Sequence, residues 1–343
     1  MRHFAGSLAF TAVCLALAGA YVWQSSHSLA AMASQLWIVV VLAVLEISLS
    51  FDNAVVNAAI LKDMDAAWRR RFLTWGMAFA VFGTRVAFPL AIVGLSAGLG
   101  PVEAVRLSLA EPARYEALVT HAHLAIAGFG GAFLALVGLG FFLDEDKDVH
   151  WLRPLEAGLK RLGAVRAAEM VVVLVALVAL AQGLAADEAL RFLVGGIAGV
   201  VCFVVVEGVG SALEAREEAR ALAGAVVKSG LGSFLYLNVL DASFSLDGVI
   251  GAFALSNNMV IIALGLSVGA IYVRSLTLLL VENGALAAYR YLEHGAFWAI
   301  LALAAVMLAS ARIEVPETVT GLIGAVLIGA ALVWSAREKR RQR

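Results

Sequence analysis

Charge is scarce in this 343-residue sequence: 15% of the residues are charged, where an ordinary soluble domain carries about a quarter. With 62% hydrophobic residues and a mean hydropathy of +0.92, both a soluble globular domain and a disordered chain are excluded. Cysteine is almost absent. Cys14 and Cys202 fall in the middle of different apolar runs, so they offer neither a disulfide framework nor metal-ligand spacing and read as small packing residues. Neither sign of charge is in excess, since 25 basic and 26 acidic residues leave a net charge of -1, which removes any general pull towards nucleic acid. His-Glu-x-x-His and Gly-x-Ser-x-Gly motifs are missing from the apolar runs, so no membrane-embedded hydrolase, and no enzyme, is expected.

What the sequence has is long apolar runs. A bilayer-crossing helix needs about 20 mostly apolar residues, and ten stretches qualify as candidates: 4-23, 36-61, 72-99, 121-143, 168-186, 192-213, 231-255, 259-283, 296-311 and 318-335. They are continuously apolar and do not alternate at period two, which favours helices over a β-barrel. The expectation is an all-α, polytopic membrane protein with about ten spans. Lys and Arg in the connections set its orientation. With the N-terminus cytoplasmic, nineteen of the 25 basic residues lie inside, four outside (Arg106, Arg114, Arg191 and Arg312), and two, Arg85 and Arg274, within spans. The C-terminus is then cytoplasmic too, and the basic tail 336-343 reads as a topology anchor at an anionic lipid surface. The first stretch, within 1-30, is expected to be a retained helix, with a cleaved signal peptide ending near Ala16-Leu17-Ala18 as the alternative.

The rare polar residues inside the runs repeat. Residues 45-55 read Leu-Glu-Ile-Ser-Leu-Ser-Phe-Asp-Asn-Ala-Val and residues 240-250 read Leu-Asp-Ala-Ser-Phe-Ser-Leu-Asp-Gly-Val-Ile. Each has an acid, Ser two and four positions on, and Asp at six, at a constant offset of 195. The following stretch carries one arginine in each copy, Arg85 and Arg274. The motifs sit in the second and seventh stretches, so the two copies run in opposite directions, as in the inverted repeats of secondary transporters. The chain divides accordingly into 31-143 as the first repeat, 144-230 as a cytoplasmic loop with linking helices, and 231-335 as the second repeat.

Intramembrane acids are costly, by about 2.5 to 3.5 kcal/mol each on insertion scales, so their presence points to function. Glu46, Asp52, Asp241 and Asp247 carry -4 when ionised against +2 from Arg85 and Arg274, and one divalent cation or two protons would neutralise the remainder. Glu207 and Glu282 are the other acids within spans, Glu207 a candidate for ion pairing or gating beside the two arginines, and Glu282 near enough to an end to reach water. Carboxylates with Ser48, Ser50, Asn53, Ser243 and Ser245 form an all-oxygen set suited to hard cations such as manganese, magnesium or calcium. On a straight helix Glu46, Ser50, Asn53 and Asn57 form one stripe, while Ser48 and Asp52 lie well over 90° away. Either the helices unwind near Ser50-Phe51-Asp52 and Ser245-Leu246-Asp247, or one acid of each pair bonds an arginine. His121, His123 and His294 read as interfacial polar residues, and Asp144 to Asp148 as a solvated acidic loop.

The Glu-x-x-Leu-Ser-x-Asp-Asn motif at Glu46 to Asn53, answered by Asp-x-x-Phe-Ser-x-Asp at Asp241 to Asp247, resembles the TerC family of integral membrane proteins. Phe244 to Gly251 and Tyr291-Leu292-Glu293-His294-Gly295 look like an uncharacterised branch of that superfamily. The resemblance runs from about Leu36 onward. It implies divalent metal export, manganese above all, across a bacterial inner (plasma) membrane, with Glu46, Asp52, Asn53, Asp241 and Asp247 on the matching positions and the bilayer and the ion as partners. The second motif departs from the better-studied members, which have Asp-Ser-x-Pro-Ala where this chain has Asp247-Gly248-Val249-Ile250-Gly251. Two other functions compete with metal export: a non-transporting membrane scaffold or stress-response component that uses its cytoplasmic segments, and an exporter of small solutes through a wider, apolar cavity.

Overall fold

The computed structural model describes residues 2–62, 64–76, 78–144, 149–163, 165, 167–222, 230–253, 255–256, 258–313 and 315–341. Among the described residues every regular element is helical and no strand occurs. After a 3-10 turn at Arg2–Phe4 come α1 (Ala5–Ser26), α2 (Leu29–Leu49), α3 (Phe51–Leu61) and α4 (Ala66–Arg71). Two π-helical segments follow, π1 (Phe72–Gly76) and π2 (Phe79–Ala87), then α5 (Phe88–Ala97), α6 (Pro101–Ala110), α7 (Pro112–His121) and α8 (His123–Leu143). The chain continues through α9 (Arg153–Gly163), α10 (Ala168–Ala181), α11 (Ala186–Leu222) and α12 (Leu231–Ala252). It finishes with α13 (Met259–Glu282), α14 (Ala285–Ala288), α15 (Leu292–Ala309) and α16 (Glu317–Arg341).

Among the described residues seven helical stretches are long and apolar enough to cross a membrane: Ala5–Ser26, Leu29–Leu49, Ala66–Ala91, His123–Leu143, Ala186–Leu213, Met259–Glu282 and Leu292–Ala309. The all-helical architecture agrees with an environment in which each backbone N–H and C=O must be satisfied within its own segment. The stretches expected at 168-186, 231-255 and 318-335 are helical as well, as α10, α12 and α16. The short ninth stretch is longer than the apolar run suggested, because α15 starts at Leu292.

Two expected spans are not straight α-helices. The second begins at Leu29, where Ser28 caps it by accepting from the Ala31 N–H at 3.3 Å, and it is interrupted at Ser50, whose φ of −101° and ψ of 19° separate α2 from α3. In the third, π1 and π2 replace regular helix. The Phe72 ring lies over Gly76 and the Phe79 ring over Gly83, each where a glycine Cβ would stand at 2.7 and 2.8 Å respectively. Those glycines leave room for aromatic rings to fold back along their own wider turns.

The main core gathers α8, α10, α11, α12, α15 and the end of α3 around Phe133, Leu134, Leu136, Leu177, Phe192, Leu237, Leu240 and Ile300. α8 is its axis, with α11 on one side and α15 on the other, and it is the most enclosed of the seven stretches. A second core joins α1, α2, α5 to α7, the end of α12 and the start of α13 through Leu42, Val93, Tyr115, Val249 and Ile262. Burial pushes the Tyr115 phenol well above its ordinary range. α13 lies against α2 and α3, meeting α2 through Gly265 and Gly269, a small-x-x-x-small pair of the kind that brings intramembrane helices close. A Cβ at Gly265 would meet the Leu42 side chain, and one at Gly269 would meet Cβ and Cγ of Glu46. That close approach is what sets Glu46 against the middle of α13.

Candidate functional site

The stripe expected on the first motif helix is present and faces inwards. Glu46, Ser50, Asn53 and Asn57 are all buried, whereas Ser48 is exposed and returns its hydroxyl to the Val44 carbonyl at 2.8 Å. On a straight helix Asp52 would point away with Ser48. The break at Ser50 turns it inwards, leaving it 5% exposed and facing the same cavity as Glu46 and Ser50. Its carboxylate Oδ1 accepts from the Asn53 N–H at 2.9 Å, one of the donors that the first turn of a helix leaves without a partner.

Both resolutions of the helix-geometry problem occur in the first copy, because the helix breaks and Glu46 also pairs with an arginine. Arg85, carried by π2, donates Nη2 to Glu46 Oε1, and the two side chains are 5% and 3% exposed. Ser50 donates to the same Oε1 at 2.9 Å. Arg85 Nη1 bonds the Ala80 carbonyl and Thr84 Oγ1, while its Nε has no hydrogen-bond partner. In the second copy, α12 runs unbroken through Asp241 and Ser245, so there the unwinding expected at 245-247 does not occur. Asp241 accepts from Asn57 Nδ2 at 2.9 Å and lies within electrostatic range of Arg85 and Glu46. The hydroxyls of Ser245 and Thr84 are 3.2 Å apart. The backbone of Asp247 belongs to α12, and its side chain lies outside the described residues.

These groups line two polar cavities, each about 20 Å³, room for one water-sized occupant. One is lined by Asn53, Asn57, Arg85, Asp241, Arg274 and Thr277. The side-chain oxygens of Asn53 and Asn57 are buried there without a hydrogen-bond partner. The other is lined by Glu46, Ser50, Asp52 and Gly248, closed by Phe244, Ala299, Leu303 and Gly324. Of the six charged groups expected to face one another, five are described and these are divided, with Glu46 and Asp52 at one cavity and Asp241, Arg85 and Arg274 at the other. Among the described residues no three His, Cys, Asp or Glu side chains come together as a metal site. The oxygen-rich character survives in mixed form, as carboxylate, amide and hydroxyl.

Gly248, the departure from the TerC pattern, has a local reason: a Cβ there would stand 3.2 Å from Glu46 Oε2. Arg274 reaches out of α13 to donate Nε to the Leu73 carbonyl at 2.8 Å, a tie to the irregular π1 segment. Glu207 does not join either cavity; it lies exposed on the outer face of α11. Glu282 reaches the surface, as expected, 3.6 Å from His3.

One polar cluster had no counterpart in the sequence reading. Glu156 on the amphipathic α9 is 2% exposed and accepts from the N–H groups of Trp151 and Leu152 at 2.9 and 3.1 Å and from Trp298 Nε1 at 3.0 Å. His150 and His294 lie 3.7 Å from it. His294 is buried, with Nε2 at 2.7 Å from the Val149 carbonyl. This cluster fastens α9 to α15. Residues 145-148 of the expected acidic loop lie outside the described residues.

The apolar helices and the buried polar seam define a multi-pass helical membrane protein. The model of a family described as a protein of unknown function (DUF475) matches residues 51–342, and the chain belongs to that family. No curated protein and no solved structure matches it. The matched region begins directly after the break at Ser50, so it contains Asp52 and the whole second motif and leaves Glu46 just outside.

Proposed function

We propose that this protein is a membrane transporter that exports a divalent cation, manganese being the ion the TerC resemblance implies, across a bacterial inner (plasma) membrane. In this reading the two acidic motifs are halves of an inverted repeat, ten spans cross the bilayer with both termini cytoplasmic, and the two polar cavities are successive stations of one path. The cation takes oxygens from Asn53, Asn57 and Asp241 at one station and from Ser50, Asp52 and Glu46 at the other. Protons move against it on the same carboxylates, so that no charge is left unbalanced in the low-dielectric interior.

The observation that carries this reading is the pair of buried amide oxygens, Asn53 Oδ1 and Asn57 Oδ1, without hydrogen-bond partners beside the Asp241 carboxylate in a cavity of ionic size. A buried acceptor without a donor costs about 1–3 kcal/mol, and a cation or a water recovers that cost. These two cavities are too small for a larger solute, while wider apolar cavities of about 490 and 750 Å³, the first lined by Trp75, Phe79 and Phe129 and the second by Trp37, Val40 and Leu322, keep a small-solute exporter as the second reading. A scaffold that recruits partners through its cytoplasmic face needs no oxygen-lined seam between its helices.

The test is manganese content and tolerance in cells carrying Asp52→Asn or Asp241→Asn. Transport predicts raised cell manganese and lost tolerance in both. Wild-type behaviour in both variants, with alanine replacements in 149–163 producing the only phenotype, would establish the scaffold instead.

A further inference from the structure

An ion pair joins the linings of the two cavities. Glu46 faces the Ser50 and Asp52 side, Arg85 faces the Asn53, Asn57 and Asp241 side, and the ion pair between them forms the partition. Asp52 and Asn53, adjacent on α3, face opposite compartments in the same way. We infer that Arg85 is a tethered cation that occupies the Glu46 carboxylate in place of the transported ion and must be withdrawn before the ion can pass from one cavity to the other. This rests on the cation-transport reading above and adds how the path is shut.

The argument starts from charge. An ion entering the first cavity meets Asp241 and two amide oxygens, but also the guanidinium of Arg85, which already neutralises Glu46. Two cations a few ångströms apart in a poorly screened interior repel strongly, so the ion and Arg85 compete for the same pair of acids. When Arg85 leaves, Glu46 becomes available alongside Asp241, which Asn57 already bonds, and an ion between them replaces the lost counter-charge. Glu46 is therefore never left without a counter-charge, and entry of the ion and departure of the guanidinium are one exchange.

The means of withdrawal lies in the helix that carries Arg85. π2 spans Phe79–Ala87 and closes its hydrogen bonds over five residues where α-helix uses four, a geometry that is rare and concentrated at functional positions. Returning one of its turns to α geometry rotates the following side chains by about 100°, the angular step of one residue. Arg85, in the last turn, would swing off Glu46 by that rotation. Its present hold is incomplete, with Nη1 and Nη2 engaged and Nε without a partner. Arg274 pins Leu73 in π1, just before this segment, and supplies the fixed end against which such a change works.

Calorimetric titration of manganese into the purified full chain in lipid nanodiscs tests the inference. Arg85→Gln should bind manganese at least about tenfold more tightly than wild type, because the competing charge is gone. If Arg85→Gln does not fold, the comparison is made between Glu46→Gln and the neutral pair Glu46→Gln/Arg85→Gln, where the double variant should be tighter by a similar factor. Equal or weaker binding after loss of Arg85 overturns the tethered-cation inference, and if wild-type binding is still abolished by Asp241→Asn, the transport reading stands without it. Absence of manganese binding in wild type and in every variant would overturn the transport reading, and the inference with it.

Discussion

The buried Glu46–Arg85 pair makes a stability prediction that does not depend on transport. Removing one partner of a buried ion pair costs about 3–5 kcal/mol because the other charge is left stranded. For Glu46→Gln the structure argues for the low end, about 3 kcal/mol, since Arg85 keeps its bonds to Ala80 and Thr84 and the nearby Asp241 charge. For Arg85→Gln the loss should be smaller, about 2 kcal/mol, because a stranded carboxylate can take up a proton. The double variant removes both charges and leaves two amides able to bond each other, at a cost of about 1 kcal/mol. The singles sum to about 5 kcal/mol, so the cycle should show a coupling of about 4 kcal/mol. Equilibrium unfolding in mixed micelles, titrated with denaturing detergent and followed by circular dichroism, measures all four proteins. If the singles and the double add to within about 0.5 kcal/mol, the two groups do not form a buried pair and the partition between the cavities is misread.

Gly269→Ala should destabilise the protein by about 1–3 kcal/mol, the usual cost of overpacking, since the new methyl would meet Glu46 and stand 3.1 Å from the Ala43 carbonyl; the same micelle titration checks it, and the same change at Gly329, which has open space around its Cβ, should be nearly silent. Glu156→Ala strips the acceptor from two backbone N–H groups and Trp298 and should release α9 from α15, seen as protease cleavage within 149–163 at enzyme concentrations that leave the wild type intact. Glu156→Gln keeps an acceptor oxygen and should be cut at an intermediate rate.

The all-helical class, the apolar stretches and the polar stripe of the first motif were legible from residue type and spacing, because 3.6-residue periodicity and scarcity of charge are local properties. Asp52 was not placed by that periodicity. Its burial depends on the break at Ser50, which the geometric conflict between Glu46 and Asp52 called for but did not locate in one copy rather than both. The sequence left one acid of each pair to bond an arginine without saying which, and Glu46 is the one that pairs with Arg85; the π-helical segment that delivers Arg85, with Phe72 and Phe79 lying over Gly76 and Gly83, looks like ordinary helix in an apolar run. The neighbour of Gly248 was not legible in the sequence either: Glu46 Oε2 lies 3.2 Å from where a Cβ there would stand. Glu156 escaped notice because a single acid on an amphipathic helix normally faces water; the flanking Trp151 and the distant Trp298 that bury it are joined only in three dimensions.

Manganese flux into liposomes containing the purified protein, with and without an imposed pH gradient, tests the central claim most directly. The account predicts gradient-stimulated manganese movement in wild type and its loss in both Asp52→Asn and Asp241→Asn. Flux that is indifferent to both substitutions, or a wild-type protein that moves no manganese under either condition, would contradict it.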